Sequence, residues 1–366
     1  MSPLDERPLR SVASDPNEVA LEVNGSYYVG WKNMRVSRAL DAVAGSFEFA
    51  TTIRQPWPIR PGSEVRVWIG DLVVATGYVD GLKVQLGREG HELSVEGRDR
   101  TADLVDCSIG EDLDQARDVG LEDIVKATCE PYAIEVKVLI DTRVEPVWRW
   151  NAGETAWTAI NRAVKQWHKI AYTDEQGRLI VTNPGDVRSS TQIHERDFKE
   201  AELRWEQVDR FRTYIVRGQG RGSDDAYGDD VASVQGLVRD TAIARERTLI
   251  ILPQNPVDTE SAQAIAMWEA SVRAARSAGL RVKLRGWRRG ARSGTGGSLW
   301  ALNEIVHVAV PAWRFEAELL VDKVTFDLSP QDGTTTELNL VRADAYAAEP
   351  QLDKEGDAFA SWGEED

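Results

Sequence analysis

The chain has 366 residues, enough for two or three domains, with 44 Lys and Arg against 60 Asp and Glu for a formal charge of −16. That balance excludes a general nucleic-acid binder, which needs a net basic face to displace counterions. Apolar residues at 42% and charged residues at 28% exclude a disordered chain and leave enough apolar material for a sizeable core.

Cys107 and Cys129 form no disulfide framework and lack metal-pair spacing, so a reducing compartment is expected. The four histidines, His91, His168, His194 and His307, are far apart and leave little material for a zinc site. No stretch approaches the roughly 18 apolar residues of a membrane helix. Residues 1–18 carry Asp5, Glu6, Arg7, Pro8 and Arg10 and lack the apolar centre of a signal peptide. The expectation is a protein made in the cytoplasm and kept there or released by lysis. The 13 Trp fit either buried interfaces or a Trp-rich core.

In chain order, residues 19–23 and 27–31 flank Asn24-Gly25, a strong hairpin signal because both central residues of a type I′ turn need positive φ. A strand over 46–54 leads to a corner at Pro56, Pro58 and Pro61. In 64–69, Val65, Val67 and Ile69 alternate with Glu64, Arg66 and Trp68 before a turn at Gly70-Asp71 into 72–78. Val84 and Leu86, then Leu93 and Val95, alternate about a turn at 87–90. Period-two strands at this spacing predict a small antiparallel barrel or sandwich.

From about Cys107 the period changes. Leu121, Ile124, Val125 and Thr128 predict a helix that stops before Pro131, and 134–140 is a strand. Trp157, Ile160, Val164 and Trp167 predict a helix over 155–169 whose Trp stripe is read as core. Residues 171–173 and 179–182 form a hairpin through Asp174-Glu175-Gln176-Gly177. Strands are expected at 201–205 and 212–217, a polar loop at 218–236 and a strand at 249–252. A helix over 259–278 shows Ile265, Trp268 and Val272 on one face and takes Gly279 as its stop. A strand over 281–287, a loop over 288–297 and strands at 300–310, 317–328 and 335–342 follow. The tail after Pro350 is acidic and reads as a disordered end or a short docking segment.

The chain also repeats itself. Residues 64–69 match 304–309, Tyr78-Val79-Asp80 matches Leu320-Val321-Asp322, and Glu92-Leu93-Ser94-Val95 matches Glu337-Leu338-Asn339-Leu340. Gly90 and Gly333 precede the last strand of each copy. The reading is two sets of three antiparallel strands with the same pleat phase.

Catalytic signatures are missing. His194-Glu195 has Phe198 where a zincin needs its second His, and there is no Gly-x-Ser-x-Gly elbow or Walker A loop. Gly218-Gln219-Gly220-Arg221-Gly222 leads into no periodic helix and reads as a flexible loop. Asp224, Asp225, Asp229 and Asp230 do not have EF-hand spacing and read as solvated. Cys129 reads as a buried small apolar residue, and neither cysteine has an identifiable His partner. Arg281, Lys283, Arg285, Arg288, Arg289 and Arg292 occur with no acid between them. The run is read as the polar face of an edge strand or a protein interface rather than a phosphate contact. No catalytic, cofactor-binding or metal-binding residue is assigned, and no cofactor is expected.

Several ordered motifs resemble the tail protein P family of Mu-type contractile phages. They are Val29-Gly30-Trp31, Val36-Ser37-Arg38, Gly45-Ser46-Phe47, the run 95–106 (VEGRDRTADLVD), the run 211–219 (FRTYIVRGQ), Leu299-Trp300, Leu319-Leu320-Val321 and Gly333-Thr334-Thr335-Thr336. The resemblance spans most of 19–346. It implies a baseplate hub: a homotrimeric ring with pseudo-sixfold symmetry that joins the hexameric tail tube to a trimeric membrane-piercing spike and forms part of the DNA channel. The implied fold class is α+β and β-rich, with two related antiparallel tube-like β-barrel domains and an intervening, discontinuous α/β domain. The expected domains are an N-terminal arm at 1–18, a first barrel at 19–105, an α/β domain at 106–200 plus 223–299, a second barrel at 201–222 plus 300–346, and a tail at 347–366. Expected partners are the chain itself, a tail tube or tube-initiator protein, the spike and other baseplate proteins, with genomic DNA passing without specific binding and no membrane insertion. The expected location is the virion tail baseplate, and the host cytoplasm during assembly. Competing readings are the hub of a tailocin or similar injection particle, a cell-wall hydrolase and a carbohydrate-binding β protein.

Overall fold

The computed structural model describes residues 5–7, 15–53, 59–87, 90–140, 144–218, 234–253, 257–289 and 297–347. Pro56 and Pro58, Asp224 to Asp230 of the acidic loop, Gln219 to Gly222, Arg292 and the tail from 348 lie outside them. The chain separates into two compact units, one of residues 1–202 with 281–340, the other of 203–280 with 341–366.

The first unit opens with strands β1 (Asp5–Arg7), β2 (Val19–Val23), β3 (Ser26–Val29), β4 (Asn33–Ala39), β5 (Ser46–Ile53), β6 (Glu64–Ile69), β7 (Leu72–Gly87) and β8 (Gly90–Asp99). Asn24 and Gly25 take φ of 52° and 82° in the β2–β3 turn, the backbone that the sequence there predicts. Val65, Val67 and Ile69 are buried and Glu64, Arg66 and Trp68 are not, so the alternation in β6 sets which face meets the core. Phe47, Phe49, Leu93 and Val95 face the same core from β5 and β8. Gly97 is forced by contact: a Cβ there would sit 2.2 Å from the Tyr78 carbonyl oxygen and 2.3 Å from the Phe47 ring.

Next come α1 (Ala102–Asp106), β9 (Gln115–Gly120), α2 (Leu121–Cys129), β10 (Val136–Val138), β11 (Val144–Arg149), α3 (Ala156–Gln166), β12 (Ile170–Thr173) and β13 (Leu179–Thr182). The Asp123 carboxylate accepts from Gly120 N–H at 3.0 Å and caps α2. Thr155 Oγ1 accepts from Thr158 N–H at 3.1 Å and caps α3. Both helices bury one stripe in a core of Leu121, Ile124, Val125, Ile160, Val164 and Trp167. The Trp stripe is therefore core, as expected: Trp167 lies 6.2 Å from Trp148 in an edge-on contact, and Trp157 packs against the same cluster. β12 and β13 form the predicted hairpin, with β10 parallel to β13.

Then follow β14 (Val187–His194), β15 (Phe198–Trp205), β16 (Thr213–Gly218), β17 (Val234–Arg239), β18 (Thr248–Ile251), α4 (Thr259–Arg276), β19 (Ala278–Arg285), β20 (Glu304–Val310), β21 (Phe315–Ser329) and β22 (Gly333–Val341). In the second unit, β16 pairs antiparallel with β17 and parallel with β18. Helix α4 covers this sheet through Ala262, Ile265 and Ala266 against Tyr214 and Val216. Asp258 accepts from Ser261 N–H at 2.7 Å to start α4. Ser277, whose hydroxyl donates to the Ala274 carbonyl at 2.7 Å, ends it, and the chain is extended from Ala278. Gly279 is thus a strand residue and not the helix stop that its position suggested.

Among the described residues, fourteen strands share one sheet. One run within it is β4-β5-β8-β7-β6, and a second is β15-β19-β22-β21-β20. The two runs have the same order, and β7 and β21 are the long strands of 16 and 15 residues. The duplication therefore covers five strands per copy and not three. Its first strand pair is one residue out of the expected register: Val306, Val308 and Val310 are the buried residues of β20, so Val65 corresponds to Val306.

The domain boundaries read from sequence shift accordingly. Residues 213–218, expected in the second barrel, pair only with strands of the second unit. Residues 343–346 belong there too: the Arg276 side chain donates to the Ala345 carbonyl at 3.1 Å. β19 and β14, both expected in the α/β domain, belong to the fourteen-stranded sheet, β14 running parallel to β20. Residues 206–277 lie between β15 and β19, where the first copy has only the short link from β4 to β5.

Candidate functional site

The join between the two five-strand copies is the most informative surface of the chain. β21 serves two neighbours along one edge: residues 315–320 pair with β20, and residues 323–328 pair with β4. Hydrogen bonding continues past the strand end, where Leu40 N–H donates to the Asp322 carbonyl at 2.9 Å. On the core side of this seam Met34, Val36, Val324 and Phe326 are all at most 2% exposed. On the polar side Arg35 Nε donates to Asp327 Oδ1 at 2.8 Å, and the Ser37 and Thr325 hydroxyls are 3.2 Å apart. Cross-strand pairs of this kind set register as well as adding stability.

A second polar cluster ties β4 and β8 to the β12–β13 hairpin. Arg38, 4% exposed, donates to Glu175 at 2.6 Å. Asp99, 1% exposed, accepts from Gly45 N–H at 3.0 Å. Burial pushes the Asp99 carboxyl up to about 7, against the opposing pull of Arg38 and the Gly45 amide. The Arg38 guanidinium holds Glu175 below its ordinary value despite burial, which acts the other way. Thr76 adds a hydrogen bond to the Glu175 carbonyl at 3.0 Å. Such a cluster fixes one hairpin on one sheet.

Four of the six cations of the basic run are ion-paired within the fold. Arg281 is ion-paired with Glu202, Lys283 with Asp332 at 2.6 Å, Arg288 with Asp71 at 3.0 Å and Arg289 with Glu304. Its strand β19 lies between β15 and β22, so it is an interior strand and the edge-strand reading fails. Sequence reasoning missed this because each acidic partner is remote in the chain. It also missed the seam, although the alternation of Met34 with Val36 and of Val324 with Phe326 marks both strands.

Of the other residues considered, Cys107 is exposed and Cys129 is buried, with burial pushing its thiol up to about 12. His307 lies 3.1 Å from Glu316 on the neighbouring strand. Among the described residues, no group of three or more His, Cys, Asp or Glu is arranged to hold a metal ion, and no helix is long and apolar enough to cross a membrane.

Three family models match the chain in order. Residues 18–99 match the N-terminal domain of Mu phage baseplate assembly protein GpP-like proteins. Residues 101–183 match the second domain of baseplate hub protein gp44-like proteins, and 258–349 match the fourth domain of Mu phage baseplate assembly protein GpP. Baseplate hub protein gp44 of Escherichia phage Mu is 28% identical over 351 residues, covering 92% of this chain and 91% of that one. The chain belongs to the Mu-type baseplate hub family. This hub is similar in structure to the 43 kDa tail protein of prophage MuSo2 from Shewanella oneidensis, with a TM-score of 0.79, 27% identity and coverage of 91% and 100% of the two chains. A tail protein from Neisseria meningitidis MC58 shares the fold, with a TM-score of 0.71, 20% identity and coverage of 88% and 96%. The protein is a β-rich phage baseplate hub, and its place is the virion tail.

Proposed function

We propose that this hub works as a homotrimeric ring with pseudo-sixfold symmetry, joining the hexameric tail tube to a trimeric membrane-piercing spike and forming part of the DNA channel. The observation that carries the proposal is the duplicated five-strand run, joined side by side through β4 and β21 in one sheet. One chain then supplies two similar neighbours, so three chains supply six. A closed ring repeats every interface, which lets one face match a sixfold tube while the whole particle keeps threefold symmetry for the spike. In this reading each run, extended around the ring, forms one of the two tube-like domains, and residues 206–277 are an insertion in the second.

The role is structural and not catalytic. The buried charges at Arg38, Asp99 and Glu175 hold elements together, and Arg281 and Lys283 of β19 are paired with acids. A charge of −16 per chain, three times over in the ring, suits a channel through which DNA passes without sticking. Light scattering on the full chain, with negative-stain imaging, tests the proposal. The expected particle has three times the 40.7 kDa chain mass and a central hole; a monomer without a pore at every concentration overturns it. On a cell-wall zymogram the protein is expected to leave no clearing.

A further inference from the structure

Among the described residues, β7 and β15 each keep a strand edge without a neighbour. β7 pairs with β6 only as far as Tyr78, and the backbone of Gly62 and Ser63 occupies Val79. From Gly81 to Gly87 the strand has β8 on one side, and among the described residues no strand lies on the other. β15 ends the strand order, so among the described residues one of its edges is also uncovered. These edges carry four exposed large apolar side chains: Val84 at 37% and Leu86 at 82% on β7, Leu203 at 37% and Trp205 at 70% on β15. Scattered surface apolar residues need no explanation. Two on each of two open edges, at alternate strand positions, do, because an uncovered apolar edge pairs with whatever fits it.

The internal seam supplies the template. The long strands last pair with their predecessors at Tyr78 and Leu320. Four, six and eight residues further on stand Leu82, Val84 and Leu86 in one copy and Val324, Phe326 and Leu328 in the other. On the partner strands, Arg35 lies opposite Glu48; Glu206 N–H donates to the Ser277 carbonyl at 2.7 Å, an antiparallel register that sets Glu202 opposite Arg281, its ion-pair partner, with the charges exchanged. Ala201 and Leu203 therefore stand where Met34 and Val36 stand on β4. Resting on the trimeric-ring reading above, we infer that β15 of one protomer pairs antiparallel with residues 81–87 of β7 in the next, in the register of the β4–β21 seam.

That register puts Leu203 opposite Val84, Ala201 opposite Leu86 and Trp205 opposite Leu82, with all three pairs on the core side. On the polar side Lys83 meets Arg204, which is already bonded to Glu206 at 2.7 Å, and Glu202 lies diagonal to Lys83. The ring then alternates three seams within chains and three between chains, all of one geometry. The occupant of each open edge is a second copy of this chain, because both halves of the pair are present on it.

The test is a cysteine pair in the full chain carrying Cys107→Ser, with Val84→Cys and Leu203→Cys together. Residues directly opposite on antiparallel strands have Cα atoms about 4.5–5.5 Å apart, within disulfide range. On mild oxidation the expected result is bands at two and three times 40.7 kDa on a non-reducing gel, abolished by reductant and absent from either single variant. Leu86→Asp, at a site exposed in the monomer, is expected to shift the light-scattering mass from three chains to one. Failure to cross-link, or an intact trimer in Leu86→Asp, overturns the seam while leaving the ring reading standing. A parent protein that never exceeds one chain overturns both.

Discussion

Arg35 and Asp327 lie 292 residues apart in sequence and meet at 2.8 Å across the seam where β4 joins β21. Both are partly open to solvent, Arg35 at 59%. An exposed ion pair contributes about 0–1 kcal/mol, so Arg35→Ala is expected to lower stability by no more than that. Phe326, 1% exposed on the other side of the same seam, is different: Phe326→Ala is expected to cost about 3–5 kcal/mol. Urea unfolding of the two variants checks the contrast. An Arg35→Ala loss equal to that of Phe326→Ala would make the join electrostatic.

The buried carboxyl of Asp99 predicts a pH dependence. Its folded pKa, about 7, lies above the ordinary value of 3.8, so between those values the folded chain holds a proton that the unfolded chain releases. Its contribution is full in acid and declines as pH rises through 4 to 7. Glu175 has the opposite sign, since its lowered pKa gives stability that is lost in acid. Asp99→Asn is therefore expected to remove a fall in melting temperature between pH 5 and pH 8. An unchanged pH profile in the variant would show that another group carries the slope.

Arg38 is the cation that both carboxylates of this cluster face. Removing one partner of a buried ionic group leaves the others uncompensated, at a cost of about 3–5 kcal/mol. Arg38→Leu is expected to lose that much in chemical unfolding at pH 8 and less at pH 5, where Asp99 is protonated. Equal losses at both values would contradict the coupling.

Trp148 sits against Trp150 and Trp167, with the Arg162 guanidinium 4.2 Å from its ring centre. Trp148→Ala is expected to cost about 3–5 kcal/mol and to abolish much of the near-ultraviolet dichroism. Arg162→Ala removes a cation–π contact worth about 0.5–2 kcal/mol. Thermal melts rank the two variants.

The two thiols are expected to differ in reactivity. Cys107 is exposed, whereas burial holds the Cys129 thiol protonated. A thiol reagent at pH 8 should label one cysteine per folded chain at once and the second only in denaturant. Immediate labelling of both would place Cys129 outside its helix core.

Short-range chemistry was legible wherever one residue type decides a local conformation. Asn24-Gly25 dictated its turn, Val65, Val67 and Ile69 dictated the buried face of β6, and Ile160 with Val164 and Trp167 dictated the inner stripe of α3. The repeat was legible too, because matching alternation survives in both copies. Partner choice was not. The pattern in 213–218 does not say that its neighbours are β17 and β18, and the cations of β19 look like an edge when the acids that pair with Arg281 and Lys283 lie elsewhere in the chain.

The amino-acid sequence by itself determined which residues turn, which face inward and that one β unit occurs twice. Tertiary structure alone decided that the second copy is opened by residues 206–277, that its five strands join the first through β21 and β4, and that Val84, Leu86, Leu203 and Trp205 lie on edges left uncovered among the described residues. The reason is physical: side-chain alternation specifies a strand's faces, whereas its neighbours are chosen by backbone hydrogen bonds that are the same for every residue and become specific only when distant segments meet.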